Sequence, residues 1–204
     1  GAMGSSVTFS SISAGGSHTC AIGSDGKGYC WGSNSNGQLG NSSSGSGADS
    51  NVPVLVNKGA MGSSVTFSSI SAGGSHTCAI GSDGEGYCWG LGTYGQLGNG
   101  GTSQSTTPVL VSRGARDPGV TFISISAGSS HTCAIGSDGE GYCWGYNEGG
   151  QLGNGSSGTD ADTPVLVSQG ERSTGVTFSS ISAGSDHTCA IGSDGEGYCW
   201  GYNE

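Results

Sequence analysis

Histidine, cysteine and aspartate recur together in a fixed frame. The stretch H-T-C-A-I-G-S-D-G-x-G-Y-C-W-G begins at His18, His76, His131 and His187, and the copies differ only where Lys27 stands in place of Glu85, Glu140 and Glu196. A serine hydrolase would draw on Ser75, His76 and Asp83. A triad, however, acts at one locus beside an oxyanion site, and a constellation repeated four times is more simply structural, each imidazole satisfying a backbone carbonyl at a strand edge. Calcium would draw on the D-G-x-G turns at Asp25, Asp83, Asp138 and Asp194, yet each offers one or two carboxylates where a cage takes six to eight oxygens. Aspartate capping a turn and glycine supplying positive φ suffice. No catalytic residue, metal or cofactor is expected.

The cysteines fall into pairs ten positions apart, Cys20 with Cys30, Cys78 with Cys88, Cys133 with Cys143 and Cys189 with Cys199, and none is left over. If each copy is a hairpin turning about its Asp, the members of a pair stand opposite one another on neighbouring strands, close enough to bond. A bridge over so short a loop contributes about 3 kcal/mol. Four local disulfides, and with them an extracellular or periplasmic home, are the favoured reading. Reduced, buried pairs acting as small hydrophobes are the alternative. Zinc is disfavoured because the pairs lack the short ligand spacing of structural sites.

These residues need elements to hold them. Hydrophobic residues make up only 32% of the 204, and glycine supplies 44, so disorder has to be weighed. Periodicity argues against it, because the few apolar residues return in register in every copy. The formal charge is -10, with no Lys/Arg cluster; such a field repels a phosphate backbone, and no nucleic-acid partner is expected. No apolar run is long enough for a membrane span and no signal-peptide pattern occurs. Gly1 to Met3 read equally as a tag remnant or as native sequence, since the same letters recur at 59–61.

In the first repeat, Val7 to Ala14 reads as a strand with a bulge between Phe9 and Ile12, followed by strands at His18–Ile22 and Gly28–Trp31 around a turn at Gly23–Gly26. Asn41 to Asn51 reads as a Ser/Gly surface loop, and Pro53 to Val56 as a short edge strand led by its proline. The histidines are 58, 55 and 56 residues apart, and the length differences fall in loops and linkers. Repeats of this length, near 1–58, 59–113, 114–169 and 170–204, predict an all-β propeller of four-stranded blades, the last incomplete.

The chain resembles the regulator of chromosome condensation repeat family. The resemblance is carried by V-T-F-S-S-I-S-A-G at Val65–Gly73, G-x-H-T around His76, D-G-x-G-Y-C-W-G at Asp83–Gly90, G-Q-L-G-N-G at Gly95–Gly100 and P-V-L-V at Pro108–Val111. It covers nearly the whole chain and implies a β-propeller, usually closed by seven repeats. Cysteine-bearing forms of the pattern are what secreted bacterial members look like. Four hairpins, with the fourth lacking both G-Q-L-G and P-V-L-V, do not make that ring. Three arrangements would resolve this: a piece of a longer chain, a compact four-blade ring, or two copies forming an eight-bladed ring, which ranks first because near-identical repeats present matching faces at both ends.

The activities known in the family, among them nucleotide exchange on small GTPases and light sensing, cannot be carried over residue by residue. The exchange factor's basic tail has no counterpart, and Arg113, Arg116 and Arg172 are the only arginines. Trp31, Trp89, Trp144 and Trp200, with His18, His76, His131 and His187, are expected to pack blade on blade. Residues that vary between copies on the following loops are the candidates for reading a protein or glycan partner: Asn34, Asn36, Tyr94, Tyr146, Asn147, Tyr202 and Asn203. The expected function is a non-enzymatic binding scaffold that completes its ring by self-association, with a purely structural assembly module as the first alternative and a protein inhibitor or hydrolase as the lesser one.

Overall fold

The computed structural model describes residues 6–202; Gly1–Met3 and Asn203, weighed above, lie outside them. Among the described residues, fifteen strands form four antiparallel sheets. The first blade holds β1 (Phe9–Ala14), β2 (His18–Gly23), β3 (Gly28–Gly32) and β4 (Ser50–Leu55), and the second holds β5 (Phe67–Ala72), β6 (His76–Gly81), β7 (Gly86–Gly90) and β8 (Ser105–Leu110). The third holds β9 (Phe122–Ala127), β10 (His131–Gly136), β11 (Gly141–Gly145) and β12 (Ala161–Leu166). The fourth has β13 (Phe178–Ala183), β14 (His187–Gly192) and β15 (Gly197–Gly201), and no fourth strand among the described residues. Each sheet is a meander in chain order, the arrangement of a propeller blade.

The central hairpin forms as its residues dictate. Asp25, Asp83, Asp138 and Asp194 each accept the amide of the residue two positions on through Oδ1 and the hydroxyl of Tyr29, Tyr87, Tyr142 or Tyr198 through Oδ2. The following glycines, at φ 71° to 84°, complete the turn. That register sets each cysteine opposite its partner, with Cα atoms 4.1 Å apart, and all four disulfides are formed. The expected bulge appears as a register shift between Phe9 and Ser11. The outer strand differs from expectation: β4 starts at Ser50, inside the stretch assigned to a loop, so Pro53 stands within the strand. As an edge strand, β4 needs no donor from Pro53 on its open side.

The core lies between blades. Cys20, Cys30, Leu39 and Val56 of the first repeat pack with Phe67, Ile70, Tyr87 and Trp89 of the second, and equivalent clusters fill the next two junctions. The Ala-Gly corners at Ala14, Ala72, Ala127 and Ala183 converge on one shallow cavity of about 240 Å³, which places the first strand of every blade innermost.

Candidate functional site: the blade junctions and the loop face

A chain of hydrogen bonds crosses every internal junction. His18 Nε2 meets Thr77 Oγ1 at 2.7 Å, and the same pair recurs for His76 with Thr132 and His131 with Thr188 at 2.9 Å. Each threonine hydroxyl donates its one proton to a backbone carbonyl of the preceding blade, that of Gln38, Gln96 or Gln151. The hydroxyl therefore accepts from histidine, which fixes the neutral Nε2–H tautomer. The imidazole partner is thus a hydroxyl on the next blade, not the backbone carbonyl expected from the sequence. Nδ1 of His18, His76 and His131 is buried without a partner among the described residues. A proton added there would be buried and unpaired. Burial accordingly lowers the pKa to about 4 for His18 and His131 and about 3 for His76, with further repulsion from neighbouring histidines at His76 and His131.

The G-Q-L-G segment is the other half of the junction. The same Gln carbonyls accept the indole N–H of Trp89, Trp144 and Trp200 at 2.9 Å, while each Gln side chain accepts the amide two residues before it. Leu39, Leu97 and Leu152 are fully buried. At the closing glycine, Gly98 for example, φ is +67° and an added Cβ would stand 2.7 Å from Trp144 Nε1. The indole leaves no room for a side chain there.

The two terminal faces lack these neighbours. Trp89 and Trp144 are wholly buried, whereas Trp31 at the first blade's open face is only partly covered; Trp200 keeps its bond to the Gln151 carbonyl and is partly covered because β15 is an edge strand among the described residues. Phe9 is 39% exposed against 6%, 2% and 4% for Phe67, Phe122 and Phe178. His187 is exposed while the other three histidines are buried. Beside β15, an open groove of about 680 Å³ is lined by Val167, Arg172, Phe178, Tyr198 and Trp200.

His76 and Asp83 are not brought together: His76 opens β6 while Asp83 lies in the turn beyond its far end, hydrogen-bonded to Tyr87. Two of the proposed loop residues are not on the surface. Asn34 and Asn147 are fully buried; each accepts the amide of Leu39 or Leu152 and donates into the polar loop that follows. Asn36, Tyr94, Tyr146 and Tyr202 remain at least partly exposed on this face, with Tyr94 and Tyr146 edge to face at 4.9 Å.

Sequence reasoning missed the linker plugs. Met61 joins the first junction core, and Arg116 and Arg172, nearly buried, lie 4.0 and 4.1 Å over the rings of Phe122 and Phe178 and donate to the carbonyls of Val120 and Val176. Their fixed offset, four residues before Val65, Val120 and Val176, was the available signal.

A sequence model of the regulator of chromosome condensation (RCC1) repeat matches residues 25–80, 83–135 and 138–191, and a second RCC1 repeat model matches 9–38, 67–96 and 122–151. The chain is 33% identical over 198 residues to the ultraviolet-B receptor UVR8 of Arabidopsis thaliana, covering 97% of this chain and 42% of that protein. It is 33% identical to the human E3 ubiquitin-protein ligase HERC2, covering 95% of this chain and 4% of the ligase. Among solved structures, Prp20p of Saccharomyces cerevisiae, described with its binding to Gsp1p and histones, superposes with a TM-score of 0.77 at 24% identity over 90% of this chain and 43% of its own. The chain thus spans less than half the length of these relatives.

Proposed function

The chain belongs to the RCC1 repeat family, and from that premise we propose that it is a non-enzymatic propeller scaffold that binds another protein through its loop face and closes its ring with a second copy, four blades from each. Prp20p binds Gsp1p and histones, and among the described residues the variable side chains Asn36, Tyr94, Tyr146 and Tyr202 are available to a partner here. The ligase activity in HERC2's name belongs to a protein of which this chain matches only 4%. Four disulfides favour an oxidising compartment, extracellular or periplasmic.

One observation carries ring closure: the two open faces hold complementary halves of the bond set that recurs at each internal junction. Besides the His–Thr pair, that set includes Ala72 N to Ser13 Oγ, Phe67 N to Gly26 O and Gly16 N to Gly73 O, each with counterparts at the next two junctions. The fourth blade presents His187, Ser182 Oγ, Gly195 O and Ser185 N at the corresponding positions; the first presents Thr19, Ala14 N, Phe9 N and Gly15 O. Two copies joined head to tail would form two such seams and bury Phe9, Ile12 and Ile191, which are 39%, 64% and 48% exposed. Among the described residues the fourth blade has no counterpart of Gln151. Light scattering coupled to size separation tests this. A single species of about twice 19.9 kDa supports the ring, and a mass of one chain at high concentration or an open-ended ladder overturns it.

A further inference from the structure

On the loop face, one position per junction decides what lies between neighbouring blades. The residue whose amide is held by the G-Q-L-G glutamine is Asn36 at the first junction, Tyr94 at the second and Gly149 at the third. At the second junction the Tyr94 ring covers this space, edge to face with Tyr146 of the next blade. At the third junction glycine supplies no ring, and a cavity of about 390 Å³ opens between Tyr146, Glu148, Gly149 and Gln151 of the third blade and Asp186 and Tyr202 of the fourth.

The junction that has lost its aromatic plug is also the one that has gained acid. Asp186 stands where the other repeats carry Ser17, Ser75 and Ser130, and Glu148 stands where they carry Ser35 and Thr93. Both carboxylates line the cavity. The Tyr146 phenol is held above its usual range by desolvation and then by the negative charge of Glu148, with Asp186 contributing. A volume near the lower end of ligand pockets, two phenol rings and two carboxylates together suit a cation with an apolar stem. A metal ion is a poorer match, because no group of three His, Cys, Asp or Glu among the described residues is placed to hold one.

We propose that this cup between the third and fourth blades binds an organic cation, the ammonium or guanidinium of a lysine or arginine side chain on a partner protein. The cup deepens the scaffold reading and rests on it for the partner, but it lies within one chain and does not depend on ring closure. The basic side chain enters between Tyr146 and Tyr202, and Glu148 and Asp186 neutralise its charge at the rim.

The test is an amide-resolved NMR titration of the full chain with Nα-acetyl-lysine amide, Nα-acetyl-arginine amide, tetramethylammonium and the neutral Nα-acetyl-norleucine amide. The cations should shift the amides of Tyr146, Gly149 and Asp186 saturably, more weakly at raised salt, and the norleucine amide should not. Glu148→Gln combined with Asp186→Asn should weaken binding at least about tenfold. Gly149→Tyr, which places a ring against Tyr202 as Tyr94 stands against Tyr146, should abolish binding. Equal shifts from the norleucine amide, or unchanged affinity in both variants, overturn the proposal. Tighter binding of the lysine or arginine amide than of tetramethylammonium supports a side chain as the ligand, and the reverse order overturns that assignment. Light scattering on the same samples reports ring closure separately, so loss of cation binding with an intact two-copy mass rejects the cup alone.

Discussion

Strands β10 and β14 have the same sequence, H-T-C-A-I-G, and different fates. In β10 all six residues are buried, whereas in β14 His187 and Ile191 are exposed and Cys189 is half-covered. The hairpin is the same in both, with the same register and the same disulfide. The difference lies in the next blade, which β10 has and β14 lacks. Local sequence therefore makes the hairpin, and the neighbour makes the core. Histidine, threonine and tryptophan act as junction residues only when a blade stands on the correct side of them.

The contrast can be pressed hardest with acid. His18, His76 and His131 have folded-state pKa values lowered from 6.5 to about 4, 3 and 4, so their neutral forms favour the folded state fully above pH 6.5. Below it the unfolded chain binds more protons, and stability falls until the folded values are reached. Each such histidine removes about 1.4 kcal/mol per pH unit inside that window. Thermal unfolding followed from pH 7 to pH 4 should show this decline, and a flat profile would contradict the neutral tautomer assigned to the junctions.

Cutting the junction itself comes next. Trp144→Ala removes a fully buried indole and its bond to the Gln96 carbonyl and should cost about 3–5 kcal/mol. Trp31→Ala, at the open face where the ring stacks on Phe9 at 5.8 Å, should cost roughly 1 kcal/mol in dilute solution. Equal losses in denaturant melts would erase the distinction between inner and outer faces. Replacing Cys78 and Cys88 together by Ala should cost about 3 kcal/mol. Under mild reductant, Cys189–Cys199 should open before Cys133–Cys143, because Cys199 is exposed and both members of the inner pair are fully buried. Mass mapping of alkylated peptides reads that order. The smallest effect belongs to threonine: Thr132→Val strands the buried His76 donor and should cost about 1–3 kcal/mol, while Thr19→Val should change monomer stability by less than about 0.5 kcal/mol and weaken only association.

Much of this was legible before the structure. The ten-residue Cys spacing and the D-G-x-G turn dictate a register, and Cys20 does stand opposite Cys30. The bulge after Phe9 and the blade order followed in the same way. Contacts between repeats were not legible, because they join residues 56 to 59 positions apart. Periodicity marks such residues as important without naming their partners. Asn34 and Asn147 show this limit, since their variation suggested recognition while their side chains serve to tie down the loop behind them. The pairing of Gly149 with Asp186 and Glu148 was hidden for the same reason: it is visible only once the third and fourth blades are laid side by side.

Amide hydrogen exchange tests most directly whether the open faces are unfinished junctions. Inside the chain, Phe67, Ala72 and Ser129 donate across junctions; Phe9, Ala14 and Ser185 are their counterparts on the open faces. The account predicts that these three amides exchange fast in dilute solution and slow toward the rates of their internal counterparts as concentration rises and the two-copy ring forms. Fast exchange at every concentration, with the internal amides protected throughout, would contradict it.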